Sequence, residues 1–199
     1  MLFVVITWQV AADGPLRALD ERAERRIAGL GPARVTEFLA DLGNVQIALP
    51  ALGAALAYAL WHGRRDTAAG PGAVRRRRYG LLAVALAMAA VPALVVPLKA
   101  LIGRPGPVGG ETGYYPSGHA ATAMVAYCGA ALALMSCGAV RRRLAMPAAG
   151  VLTLATGIGL VLRGYHWPLD VLGSWCLCGM LLLISSRGTR RSSARTPTG

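Results

Sequence analysis

Lysine occurs once in this chain of 199 residues, histidine three times, and acidic residues nine times. Charged residues make up only 15% of the chain, against about 25% in an average soluble domain. So little charge excludes an ordinary water-soluble surface. Cysteine is down to four, and Cys128, Cys137, Cys176 and Cys178 all lie inside apolar runs. They read as buried free thiols. Cys176 and Cys178 would point to different faces of a helix, which argues against a metal pair. What fills the chain instead is apolar: 55% of residues are hydrophobic and the mean hydropathy is +0.49. That balance describes an integral membrane protein, and 25 glycines among many alanines suit helices that pack closely in lipid. A net charge of +12 in a soluble protein would suggest nucleic acid. Here the arginines flank apolar runs, so the expected partner is the bilayer and no nucleic acid.

Five stretches, 44–62, 79–99, 119–140, 145–163 and 169–186, approach the ~20 residues that cross a hydrocarbon core. A sixth, "MLFVVITWQVAA", stops at Asp13 and has no basic flank ahead of it. It fits a short or truncated first span better than a cleaved signal peptide. In the segment that follows, Leu16, Leu19, Ala23, Ile27 and Leu30 recur at helical spacing among charges. This spacing predicts one or two amphipathic helices on the membrane surface. The expected fold is therefore all-α: an integral membrane six-helix bundle with an amphipathic interfacial helix after the first span. A single membrane-embedded domain covers 1–186, and the Ser-, Thr- and Arg-rich tail 187–199 is expected to be disordered.

Arginine placement sets the orientation. The loop 63–78, with Arg64, Arg65 and Arg75 to Arg78, the apparent turn Arg141 to Arg143, and the tail carry thirteen basic residues and one acid, Asp66. The remainder carries eight of each sign. By the positive-inside rule the first group, tail included, is cytoplasmic.

The other boundaries open outward, and the scarce residue types gather there. Lys99 ends one span, Arg104 follows in "LIGRPGP", "PSGH" 116–119 opens the next, and "RGYHWPLD" 163–170 opens the last. Converging ionisable groups at one membrane level point to function. Taken alone, Lys99 could equally be a snorkelling interfacial lysine. His62, at the opposite end of a span beside Arg64, reads as a solvated boundary residue. Ser117 and Gly118 at a helix start, with free backbone N–H groups, suit an anion. Lys99 and the arginines supply charge suited to phosphate. His166 and Asp170 stand four apart, with Pro168 in position for a first helical turn. The carboxylate can hold one imidazole nitrogen and leave the other to attack, while His119 can protonate a departing alkoxide. Two histidines and an aspartate could also hold zinc. The surrounding cations oppose that, so no metal or other cofactor is expected.

These residues resemble the type 2 phosphatidic acid phosphatase family, membrane relatives of the vanadium haloperoxidases, whose signature is K-x6-RP, then PSGH, then SR-x5-H-x3-D. Pro116 to His119 match PSGH, His166 and Asp170 supply H-x3-D, and the likeness runs over roughly 79–186. It implies metal-independent hydrolysis through a phosphohistidine, with His166 as nucleophile, Asp170 as its orienting partner and His119 as general acid. Lys99, Ser117 and Gly118 would bind phosphate oxygens. Two motif positions differ: Gly106–Pro107 stands for RP and Gly159–Leu160 for SR. Arg104, two positions early, and Arg163, three positions late, are expected to take over as phosphate ligands. The expected activity is hydrolysis of a lipid phosphate monoester or pyrophosphate, presented from the extracytoplasmic leaflet. A catalytically silent relative that binds or moves phosphorylated lipids is the alternative.

Overall fold

The computed structural model describes residues 1–66, 70–109, 111–135 and 137–194. Among them the chain forms eight helices: α1 (Leu2–Ala11), α2 (Pro15–Ile27), α3 (Ala33–Asp41), α4 (Val45–Arg65), α5 (Pro71–Ile102), α6 (Gly118–Leu134), α7 (Ala139–Leu162) and α8 (Pro168–Ala194). Four of them, α4, α5, α7 and α8, contain stretches long and apolar enough to cross a membrane. Their interior prolines, Pro50 in α4, Pro92 and Pro97 in α5 and Pro147 in α7, are tolerated where neighbouring helices satisfy the freed carbonyls.

Helix α6 is shorter, at 17 residues, or about 25 Å at 1.5 Å per residue. It is also the centre of the molecule, with α4, α5, α7 and α8 packed around it. Ala120, Ala121, Ala123, Ala126, Ala131 and Ala133 are all buried along it. Small side chains all round a helix let several neighbours approach its backbone at once, and dispersion then does the work that hydrophobicity cannot do in lipid.

At the N-terminus, α1 is ten residues long and turns by 82° into α2, so the first apolar run does not cross by itself. Pro15 starts α2 at a position where its missing N–H costs nothing, and Arg25 and Arg26 complement the dipole in its last turn. Leu16 and Leu19 of α2 are exposed, as on a face turned to lipid, while Asp20 and Glu24 are buried. The carboxylate face of this amphipathic helix is the one turned into the protein.

Two boundaries differ from the sequence reading. Arg141 to Arg143 lie within α7, whose N-cap is Gly138, so the α6–α7 connection comes before them. Helix α8 continues to Ala194, beyond the expected end of order at 186; residues 195–199 of the tail lie outside the described residues. The connections α3–α4, α5–α6 and α7–α8 all fall at one end of the bundle, which brings the scarce charged residues together.

Candidate active site

The α7–α8 connection places His166. Gly164, in the left-handed region at φ 68°, turns the chain out of α7, and Tyr165 N–H and His166 N–H both donate back to Leu160 O. Pro168 then opens α8, so Asp170 sits in its first turn, where its carboxylate can reach back to the free N–H groups. Asp170 Oδ2 accepts from Trp167 N–H at 3.2 Å and lies 3.3 Å from His166 Nδ1. A carboxylate can only accept there, so Nδ1 carries the proton and Nε2 keeps its lone pair. His166 is nearly buried, with the Tyr114 ring edge-on to it at 5.5 Å between centroids.

Asp170 Oδ1 is occupied from the other side. Arg104 Nη1 donates to it at 2.6 Å, and Arg104 Nη2 donates to Asp20 Oδ2 on α2 at 2.7 Å. Asp20 Oδ1 accepts from Leu169 N–H at 2.8 Å, in the same first turn of α8. Burial holds the Asp20 carboxyl above the usual carboxylate range, and its bond to the Arg104 guanidinium offsets only part of that rise. The side chain of Arg104 has no exposed surface. Arg104, expected as a phosphate ligand, is here closed off between two carboxylates, one of them the partner of His166. Gly103, left-handed at φ 58°, ends α5 one residue before it with its N–H on Lys99 O.

Ser117 is fully buried and caps α6, its Oγ accepting from Ala120 N–H at 3.3 Å. Its own N–H donates to Asp170 O, and Ser174 Oγ lies 2.8 Å from both Ser117 O and Asp170 O. The start of α6 is thus fastened to the first turn of α8. Ser117 acts here as a cap, while Gly118 and His119 face the open side. Lys99 Nζ donates to Gly113 O at 2.7 Å; an ammonium has three donors, so two remain for another acceptor. His119 Nε2 lies 2.8 Å from Asn44 Oδ1, and Asn44 Nδ2 donates to Asp41 Oδ1 at 2.7 Å.

Lys99, Gly118 and His119 together line one end of a groove of about 800 Å³ between α4 and α5. Asn44, Gln46 and Thr122 add polar groups to the lining, and most of the remaining wall is apolar, with Leu49, Leu52, Met88, Val91 and Val95 among it. A polar end on an apolar slot of this size suits an amphiphile.

Arg163 is placed elsewhere. Its Nε lies 2.6 Å from Glu37 Oε2 on α3, its guanidinium sits 5.5 Å from the centre of the Tyr165 ring, and it is absent from the groove lining. Arg163, expected in place of the missing motif arginine, is thus paired with Glu37 in this arrangement. The motif positions themselves explain why. A Cβ on Gly159 would stand 2.4 Å from Ala40 N, and Leu160 is 1% exposed, packed with Ala40, Ala120 and Val171. Helix α3 rests on the very turn of α7 that would carry serine and arginine.

Sequence reasoning missed Asp20, Asp41 and Asn44. Asp20 and Asp41 lie in the segment read as interfacial, and Asn44 at the start of the stretch 44–62 read as a span. The available signal was weak: Asp20 is one charge among many on α2, and Asn44 is an ordinary N-cap residue ahead of α4.

A family model described as the PAP2 superfamily matches residues 80–193. A comparison with curated protein sequences gives no match. Among solved structures, the chain resembles the first transmembrane PAP2 type phosphatidylglycerolphosphate phosphatase from Bacillus subtilis, with a TM-score of 0.75 and 22% identity over 98% of this chain and 97% of that one.

Proposed function

The chain belongs to the PAP2 superfamily, and on that premise we propose that it hydrolyses a lipid phosphate by way of His166. The observation that carries this reading is the contact of His166 Nδ1 with Asp170 Oδ2 at 3.3 Å, which leaves Nε2 as a nucleophile. Nε2 forms a bond to phosphorus as the P–O bond to the leaving group breaks, and His119 gives its proton to the departing oxygen. Water then attacks the phosphohistidine, with neutral His119 taking its proton, and Nε2 leaves as phosphate is released. Lys99 and the backbone N–H groups at Gly118 and His119 meet the phosphoryl oxygens, where charge builds in the transition state. The apolar groove takes the lipid tail, so the substrate need not leave the bilayer. Thirteen basic residues against one acid at the opposite end support an extracytoplasmic site.

The buried Leu160 and the diverted Arg163 favour one second reading: a relative that binds phosphorylated lipids without turning them over. Phosphate release by the purified chain, in the presence of a chelator, separates the two. Hydrolysis that survives EDTA and disappears in His166→Ala is the expected result. No release from phosphatidate, phosphatidylglycerol phosphate or polyprenyl pyrophosphate, with binding of any of them retained, would favour the silent reading.

A further inference from the structure

Asp20 lies outside every motif, on a helix that the sequence places at the membrane surface, yet its side chain is 2% exposed. Its two oxygens are fully engaged: one on Arg104 Nη2 at 2.7 Å, the other on Leu169 N–H at 2.8 Å. We propose that Asp20 is a positioning residue for the reaction: acting through Arg104, it restores the net negative charge that Asp170 needs to support His166. This rests on the reading of His166 and Asp170 as the reactive pair.

The reasoning is one of charge. Arg104 locks Asp170 with a 2.6 Å contact between two side chains that have no exposed surface. Geometry gains from that lock, but the field does not. A guanidinium is always protonated, so an isolated Arg104–Asp170 pair is neutral. When His166 Nε2 bonds to phosphorus, its ring becomes cationic with the proton still on Nδ1, and a neutral pair offers that cation little. Adding Asp20 makes the cluster two carboxylates on one guanidinium, with one net negative charge facing the imidazole. In a cluster this deeply buried, one surplus charge is felt strongly. The other nearby carboxylate does not supply it: Glu21 Oε1 is 3.8 Å from Arg104 Nη2 but 2.8 Å from Arg17 Nε. Asp20 also fixes where the charge sits. Its bond to Leu169 N–H ties it to the same turn of α8 that carries Asp170, so α2, the α5–α6 loop and α8 hold one another in register.

The test uses the purified full-length chain in detergent and whichever of phosphatidate, phosphatidylglycerol phosphate or polyprenyl pyrophosphate the wild type hydrolyses fastest. Asp20→Asn keeps the acceptor for Leu169 N–H and removes the charge. It should lower kcat by about 10- to 100-fold, the range for groups that orient a reacting ligand from behind, with KM changed less than about threefold. The double variant Asp20→Leu/Arg104→Met removes one charge of each sign and leaves Asp170, still bonded to His166 Nδ1 and Trp167 N–H, as the single negative charge of the site. It should turn over faster than Asp20→Asn. Wild-type kcat in Asp20→Asn, a rise in KM with kcat intact, or a double variant no faster than the single one would each overturn the proposal. If Asp20→Asn does not fold, the double variant decides alone: kcat within about tenfold of wild type supports the charge role, and loss to the His166→Ala level refutes it. A wild type that releases no phosphate, or an active His166→Ala, would instead sink the hydrolytic reading beneath it.

Discussion

His119 has its protonation arranged from outside the motif that contains it. Asn44 spends its amide N–H on Asp41, so its carbonyl oxygen must accept from His119 Nε2. Nε2 therefore holds a proton, and Nδ1 is the nitrogen left to exchange one with the leaving group. Asn44→Ala should lower kcat by about tenfold or more on an alkyl phosphate, whose leaving oxygen needs a proton, and far less on p-nitrophenyl phosphate. Equal losses on both substrates would show that Asn44 does not work through proton transfer. Arg163 is the opposite case. A partly exposed ion pair with Glu37 is worth little, so Arg163→Ala should keep kcat within about twofold of wild type. A hundredfold loss would mean that the arginine swings into the site when substrate binds.

Helix α3 shows how an element can rewrite a motif. The motif histidines, Asp170 and Lys99 were legible because rare residue types stood out at helix ends in an apolar sequence. The loss of serine and arginine at Gly159 and Leu160 was legible too, but its cause was not. That cause is a backbone contact between α3 and α7, 2.4 Å from where a Cβ on Gly159 would stand. Apolar periodicity says that α3 has a face, and nothing local says which helix it meets. Gly159→Ala should therefore push α3 off α7 and destabilise the protein by about 1–3 kcal/mol, as overpacking does. The check is the thermal midpoint in detergent, expected to fall by several degrees. An unchanged midpoint would mean that α3 is not pressed on Gly159. Leu160→Arg should not raise activity above wild type, because the position is enclosed by Ala40, Ala120 and Val171 rather than open to the groove.

Across the whole molecule, long-range pairing is what the sequence hid. Arg104 meets Asp170 across 66 positions and Asp20 across 84; with only apolar runs to count, no spacing rule connects α2 to the start of α8. The long apolar helices α4, α5, α7 and α8 were visible, because lipid demands long uninterrupted helices. The short α1 and its 82° turn were visible only as a run that ended too soon. Charge asymmetry across the bundle predicts that the loop after α4 lies in the cytoplasm. Gly70→Cys should resist a membrane-impermeant thiol reagent in intact cells and react after permeabilisation. Labelling from outside would reverse the orientation and put the site on the cytoplasmic face.

The phosphoenzyme tests the central claim most directly. Phosphohistidine is a phosphoramidate, stable in base and labile in acid, unlike the esters of serine or the anhydrides of aspartate. Rapid quenching of the purified protein during turnover of a lipid labelled in its phosphate should trap base-stable, acid-labile label on the peptide that carries His166. The label should vanish in His166→Ala together with phosphate release. Label on another residue, or continued phosphate release by His166→Ala, would contradict hydrolysis through His166.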